Sequence, residues 1–367
     1  MIRFFLFAVF LFFYTSSFSQ TFKNDSIRSF VDTSIDLIRS NAVDTSNIKS
    51  IESTLYSKAQ DLHSVSELGP LYAEVFELLK DHHGGLKYKG MTYGWSRPLR
   101  SGNPYLKDKL KTEKATVSRV IDKTIAYLRI PGNNDFAFKK VDSIADDLAA
   151  HINTVSSAKI KAWIIDLRIN TGGNMYPILL GLKEFIGSHN LIFGGFRNSK
   201  GASSGQWEIK DGKMLIDGIE LVRQAKLKSP IKEDIPIVIL TSCYTASAGE
   251  MTAISLIGRK NTYIVGEPTA AYTTAVQGFS INRDAGLNLS TDHVTDRNLK
   301  IYTSNIKPDV EVLQGDNLEN LKKDKKIIKA LELLKNNQSI SRKRTGVSCI
   351  IFLKKLLKCV ASLKPKE

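Results

Sequence analysis

The run Ile235-Pro236-Ile237-Val238-Ile239-Leu240 has no polar side chain at any of its six positions. Six residues cannot span a membrane, so a chain carrying this run has to bury both faces of a strand. A second segment, Ala162 to Arg168, starts in the same way with Ala162-Trp163-Ile164-Ile165 and only then turns polar. Strands covered on both faces need helices above and below, and the flanking sequence supplies them. Periodicity predicts a strand from Ile125 to Ile130, a helix from about Phe136 to Thr154, and a strand over Ala162 to Arg168. A helix from about Met175 to Ile186 and a strand near Leu191 to Phe196 follow. Next come the strand Ile235 to Thr241, a helix from Ala246 to Ile257 and a short strand from Tyr263 to Val265. A β-rich stretch from Gly278 to Thr303 and a helix from Leu318 to Leu334 complete an α/β core.

Upstream of this core the spacing is helical. Ile27, Phe30, Val31, Ile35, Leu37 and Ile38 form one apolar face, and Ile48, Ile51, Leu55 and Leu62 a second. Leu71, Val75, Phe76, Leu78 and Leu79 form a third, which Gly69-Pro70 separates from the second. The very start differs. Arg3, the apolar block Phe4 to Phe13 and the stretch Thr15-Ser16-Ser17-Phe18-Ser19 follow the order of a secretory signal. Cleavage after Ser19 and retention as a short membrane anchor are both open. The division expected is therefore a signal segment at 1–19, a helical domain at 20–90, a core at 91–337 and a basic tail at 338–367. Export to the periplasm, cell surface or medium is expected with it.

The net charge of +15 raises the question of nucleic acid. Its distribution argues against that partner. The last 26 residues hold Arg342, Lys343, Arg344, Lys354, Lys355, Lys358, Lys364 and Lys366 against Glu367 alone, and the remaining excess is spread without an aromatic-basic module. Ile350, Ile351, Phe352, Leu353, Leu356, Leu357 and Val360 lie between those lysines. The tail thus reads either as a membrane-surface helix or as a poorly ordered or locally packed extension. Cys243, Cys349 and Cys359 make no disulfide framework, and no Cys or His pair has metal-ligand spacing. No metal and no cofactor are expected.

Two strand-to-helix junctions carry the chemistry. At the first, Asp166-Leu167-Arg168 leads into Asn170-Thr171-Gly172-Gly173-Asn174, where paired glycines permit a left-handed backbone and expose amides. Such amides stabilise a developing oxyanion, although a plain turn would use the same residues. At the second, Thr241-Ser242-Cys243-Tyr244-Thr245-Ala246-Ser247-Ala248-Gly249-Glu250 opens a helix. A serine there sits beside unpaired amides and a favourable dipole, which suits a nucleophile. It equally suits a helix cap, with Glu250 completing a capping box.

Together these segments resemble a known family. Ala126-Tyr127-Leu128-Arg129-Ile130, Ile165-Asp166-Leu167-Arg168 with Asn170 to Met175, Thr245 to Glu250, Val265-Gly266-Glu267-Pro268-Thr269 and Ile306-Lys307-Pro308-Asp309-Val310 occur in the order of the tail-specific, or C-terminal-processing, serine peptidases, which are tricorn-like. The resemblance implies a crotonase/ClpP-like α/β peptidase core with an N-terminal helical cap. It also implies that Ser247 is the nucleophile and that the amides of Ala248, Gly172 and Gly173 form the oxyanion hole.

Two departures narrow the match. The processing branch places a lysine base shortly after Gly-Glu-Pro-Thr, where this chain has Tyr272, and a phenol titrating near about 10 is a poor base at neutral pH. Other branches, including the nisin resistance type, use a histidine in an Asp-x-His pattern. Asp81-His82-His83-Gly84-Gly85 fits that pattern and points to His83 as the base. Glu250 and Asp81 are the candidates to orient its imidazole. The 35 residues from Tyr88 to Asp122 also leave no room for the PDZ domain usual in the processing branch, so the nisin resistance type is the better match.

The function implied is that of an exported serine endopeptidase acting on polypeptides, near their C-termini. One alternative is a peptide- or ligand-binding protein that keeps the fold without turnover. Another is a crotonase-like enzyme of acyl-CoA, which the signal segment disfavours.

Overall fold

The computed structural model describes residues 22–97 and 102–335. The signal segment and the basic tail lie outside the described residues. The described residues divide into two compact units, those up to Trp95 with Gly278–Asn288, and those from Ser96 to Gln277 with those from Leu289 onward.

Three amphipathic helices, Asp25–Asn41, Ile48–Ala59 and Gly69–Leu78, build the first unit. Asn24 caps the first helix, its side chain accepting the Ser26 N–H at 2.9 Å. Pro70 stands in the opening turn of the third, where its missing N–H costs no hydrogen bond. Ile27, Phe30, Val31, Ile35 and Ile38 bury one face against Ile51, Leu55, Tyr72, Val75 and Phe76, with Phe30 and Tyr72 edge to face at 6.1 Å. Polar links between the helices run from Tyr56 Oη to Asp32 (2.7 Å) and from Asn47 Nδ2 to the Leu78 carbonyl (2.8 Å). The hairpin Gly85–Tyr88 and Met91–Tyr93 turns through Lys89 and Gly90, at φ 46° and 83°. Its first strand pairs antiparallel with Ala285 to Asn288, nearly two hundred residues downstream.

The second unit is organised around a six-stranded sheet in the order Val310–Glu311, Thr262–Gly266, Ile237–Thr241, Ala162–Asp166, Ile125–Arg129 and Val117–Val120. All neighbours are parallel except the edge strand Val117–Val120. Every residue of the three strands Ile125–Arg129, Ala162–Asp166 and Ile237–Thr241 is buried. Alternate residues serve opposite layers, as the period of two requires. Trp163, Ile165, Ile237 and Ile239 pack with Leu148, Ile152, Leu179, Met251 and Ile254 from the helices on one face. Ile164, Val238 and Leu240 pack with Ile327, Ala330 and Leu334 on the other. Covered on both faces, the apolar runs occupy the place expected of them.

Some boundaries differ from the periodicity. The helix expected from about Phe136 is Val141–Val155, because the Asp135 carboxylate accepts the N–H groups of Lys139 (2.9 Å) and Lys140 (3.0 Å) and holds 135–140 as a loop. The helix expected over Met175 to Ile186 breaks at Leu182 into Tyr176–Gly181 and Lys183–Ile186. The last helix starts at 325 rather than 318. Leu321–Lys323 is a 3₁₀ turn, and Asp324 Oδ1 caps the helix by accepting from Lys326 and Ile327 N–H, both at 3.0 Å. The meander Leu191–Arg197, Ser203–Lys210, Lys213–Ile216 and Ile219–Leu221 extends well past the single strand expected near Leu191. The interval from Tyr88 to Asp122 holds the strand Met91–Tyr93, the helix Pro104–Thr112 and the strand Val117–Val120. No described helix is long and apolar enough to cross a membrane.

Candidate active site

Ala162–Asp166 and Ile237–Thr241 are parallel neighbours, so the loops after them leave the same edge of the sheet side by side. Ligand sites of parallel α/β sheets form at such edges. Side chains of the second loop hold the backbone of the first: Thr245 Oγ1 donates to the Leu167 carbonyl at 2.9 Å and Ser242 Oγ to the Arg168 carbonyl at 2.5 Å. The Ala246 N–H donates to the Asn170 carbonyl at 3.0 Å. Gly249 lies so close to that carbonyl that a Cβ would sit 2.6 Å from it, which explains a glycine inside the helix Ala248–Leu256.

The glycine pair has φ +110° at both Gly172 and Gly173. Asn170 Oδ1 accepts the Gly172 N–H (3.1 Å), and the Gly172 carbonyl accepts from the Asn133 N–H (3.1 Å). Gly172 turns its open side to the serine, since a Cβ placed on it would lie 2.8 Å from Ser247 Cβ and 3.4 Å from Oγ. A Cβ on Gly173 would strike the Asn133 carbonyl at 1.8 Å. The Gly173 and Ala248 N–H groups donate to no acceptor among the described residues.

Ser247 stands at φ 50°, ψ −118°, immediately before the helix. This region is nearly closed to residues with a Cβ, and strain of this kind concentrates at functional sites. Glu250, fully buried, gathers four donors. Its Oε2 accepts the N–H groups of Ser247 (3.0 Å) and Tyr272 (2.7 Å), and its Oε1 accepts the Ala271 N–H (3.0 Å) and the Thr269 hydroxyl. Burial pushes its carboxyl up to about 7 even against those donors. Tyr272, where a processing peptidase would carry lysine, has its phenol raised further by burial and by the nearby Glu250 charge. It is thus a still poorer base. The Cys243 thiol is raised to about 12, first by burial and then by Glu267, which makes it inert.

Beneath the two loops lies a buried polar network. Arg168 bonds Asp166 through Nε (2.9 Å) and Nη2 (2.6 Å), and reaches Asp316 (2.7 Å) and Asp324 (2.6 Å) through Nη1. Lys326 Nζ bonds Glu267 and Asp316, both at 2.8 Å. Although burial alone would raise them, Arg168 holds the Asp166 carboxyl low, Lys326 holds Glu267 low, and both cations act on Asp316. Glu267 Oε2 in turn accepts the Cys243 N–H at 3.1 Å. The C-terminal segment is thereby joined to the bases of both loops.

Ser247, Ala248, Gly172, Gly173 and Glu250 thus come together in the second unit, while Asp81 and His83 belong to the first. There the buried Asp81 accepts the N–H groups of His83 (3.0 Å) and Gly84 (2.9 Å) on Oδ1 and shapes the backbone on which the histidine stands. The sequence marks Thr269 and Glu267 only as parts of the Gly-Glu-Pro-Thr motif, with no role attached, and does not single out Asn133 or the Arg168–Lys326 network. The Asp166-x-Arg168 spacing is a further signal for the network, because residues two apart in extended backbone share a face.

Residues 124–312, just over half of the chain, match Peptidase family S41, and the chain belongs to that family. Among individual relatives, it is 28% identical over 216 residues to a nisin-resistance protein of Lactococcus lactis subsp. lactis, which covers 58% of this chain and 61% of that protein. It is also 28% identical over 197 residues to the carboxy-terminal processing protease CtpA of Bacillus subtilis (strain 168), covering 50% of this chain and 38% of that protein. The chain therefore spans less than two thirds of either relative. A lipoprotein from Streptococcus agalactiae shares the fold, with a TM-score of 0.61 and 21% identity over 85% of this chain and 96% of the other.

Proposed function

We propose that the protein is an exported serine endopeptidase in which Ser247 is the nucleophile and His83 the general base. The observation that carries this reading is the strained backbone of Ser247 at the start of a helix, facing Gly172, with the Ala248 and Gly173 amides unengaged. His83 takes the proton from Ser247 Oγ as the oxygen bonds to the peptide carbonyl carbon. The oxyanion is held by the Ala248 N–H and the glycine loop, where each donor contributes about 3 kcal/mol in comparable sites. Of the two glycines, Gly173 is the donor whose N–H is unengaged, the Gly172 N–H being bonded to Asn170. The C–N bond breaks as the imidazolium returns its proton to the leaving amine, and water then hydrolyses the acyl-enzyme by the same steps.

Histidine, rather than the position three residues past Gly-Glu-Pro-Thr, takes the base's role because Tyr272 is there and its phenol is raised above its ordinary value. The substrate is a polypeptide cut near its C-terminus, by analogy with CtpA. The nisin-resistance protein's implied substrate is not carried over, because a chain of +15 does not attract a cationic peptide. Export rests on Arg3 and the apolar block that follows it.

Covalent labelling by a fluorophosphonate tests the reading. Wild type should label, Ser247→Ala should not, and His83→Ala should label at least about a hundredfold more slowly. Folded wild type that fails to label would favour the binding protein without turnover, a reading to which Tyr272 lends support.

A further inference from the structure

Glu250 invites the role of a third catalytic residue, but its bonds point elsewhere. A carboxylate oxygen accepts about two hydrogen bonds, and each Glu250 oxygen already has two donors. An imidazole would have to displace one of them. The donors also share a property. Ser247 at φ 50° and Ala271 at φ 70° are both non-glycine residues held in positive φ, and both give their N–H to this one side chain. Strain persists where surrounding bonds over-determine the backbone.

The second strained residue sits in a loop that is itself anchored. Ala270 N–H donates to the Thr245 carbonyl at 2.9 Å, Thr269 N–H to the Ile306 carbonyl at 3.1 Å, and Ile306 N–H to Thr269 Oγ1 at 2.8 Å. Glu250 therefore joins the serine turn to a braced wall. We infer that Glu250 is a positioning residue for the reaction at Ser247, fixing the peptide before the serine and so the direction of Oγ and of the Ala248 N–H. This rests on the reading of Ser247 as nucleophile. An ordinary capping-box glutamate would make one bond at the helix start and affect stability alone.

Glu250→Gln keeps the shape but sets an amide NH₂ against N–H donors that now meet a carboxylate. The test is the kinetics of fluorophosphonate labelling of the full chain, at several probe concentrations, for wild type, Glu250→Gln and Thr269→Val. The fraction folded is measured by circular dichroism. The expected result is a saturating labelling rate per folded molecule about tenfold to a hundredfold lower in Glu250→Gln, with the half-saturating concentration unchanged within about twofold. Thr269→Val, which removes one of the four donors and the acceptor of the Ile306 N–H, should fall between. A merely structural glutamate would lower the labelled fraction but leave the rate per folded molecule at the wild-type value, and that result overturns the inference. If Glu250→Gln does not fold, a wild-type rate in Thr269→Val overturns it as well. Wild type that does not label removes the nucleophile itself, an outcome distinct from either.

Discussion

Gly172→Ala probes the apposition of the two loops most directly. A Cβ there would lie 2.8 Å from Ser247 Cβ and 3.3 Å from the Ala246 carbonyl, on a backbone at φ +110°. Two costs combine: about 1–3 kcal/mol for an L side chain at that φ and about 1–3 kcal/mol for forcing a methyl into a packed contact. Gly201 separates them. It has φ +74° and nothing within 4 Å of a built Cβ, so Gly201→Ala carries the backbone cost alone. Urea denaturation of both variants should therefore show Gly172→Ala less stable than Gly201→Ala by about 1–3 kcal/mol. Because the displaced atoms belong to Ser247, fluorophosphonate labelling should slow by about a hundredfold in Gly172→Ala and stay at the wild-type rate in Gly201→Ala. Equal stability of the two variants, together with unchanged labelling in Gly172→Ala, would refute the close approach of the glycine loop to the serine.

Three further outcomes follow from the site. With its carboxyl raised from 4.5 to about 7, Glu250 takes up a proton in the folded state below about pH 7, where the unfolded chain does so only below about 4.5; above pH 7 it is the four-donor carboxylate. Its contribution to stability therefore falls as pH rises from about 4.5 to 7, by on the order of 3 kcal/mol. Denaturation of wild type and Glu250→Gln at pH 5 and pH 8 checks this, and an identical pH slope in both would exclude it. Tyr272→Phe should label within about twofold of wild type, because a phenol above its usual value of about 10 is not the base; a large loss would restore Tyr272 as a candidate. Lys326→Met leaves Glu267 and Asp316 without their lysine and should cost about 3–5 kcal/mol in denaturant unfolding. A loss under about 1 kcal/mol would show that the network is solvated in solution.

The elements with strong periodicity are legible in the amino-acid order alone. Ile237 to Leu240 and Trp163 to Ile165 alternate between two apolar layers, and apolar runs bounded by polar loops record that requirement directly. The three N-terminal helices are equally plain in the spacing of Ile27 to Ile38, Ile51 to Leu55 and Leu71 to Phe76. Helix ends are less so. Asp135 and Asp324 each bond nearby amides and shift a boundary by several residues, and nothing in the apolar pattern marks which aspartate will do so.

At the site, sequence by itself named Ser247, the glycine pair and Glu250, because a nucleophile at a helix start, an exposed amide turn and a capping carboxylate are local features. The tertiary structure decided what those residues do to one another. The parallel pairing of Ile237 with Trp163 brings residue 172 against residue 247, and the 269–272 loop turns a capping glutamate into a fourfold acceptor. Those contacts join positions from 19 to about 80 residues apart, where spacing along the chain carries no information. Only the register of the sheet determines which of them meet.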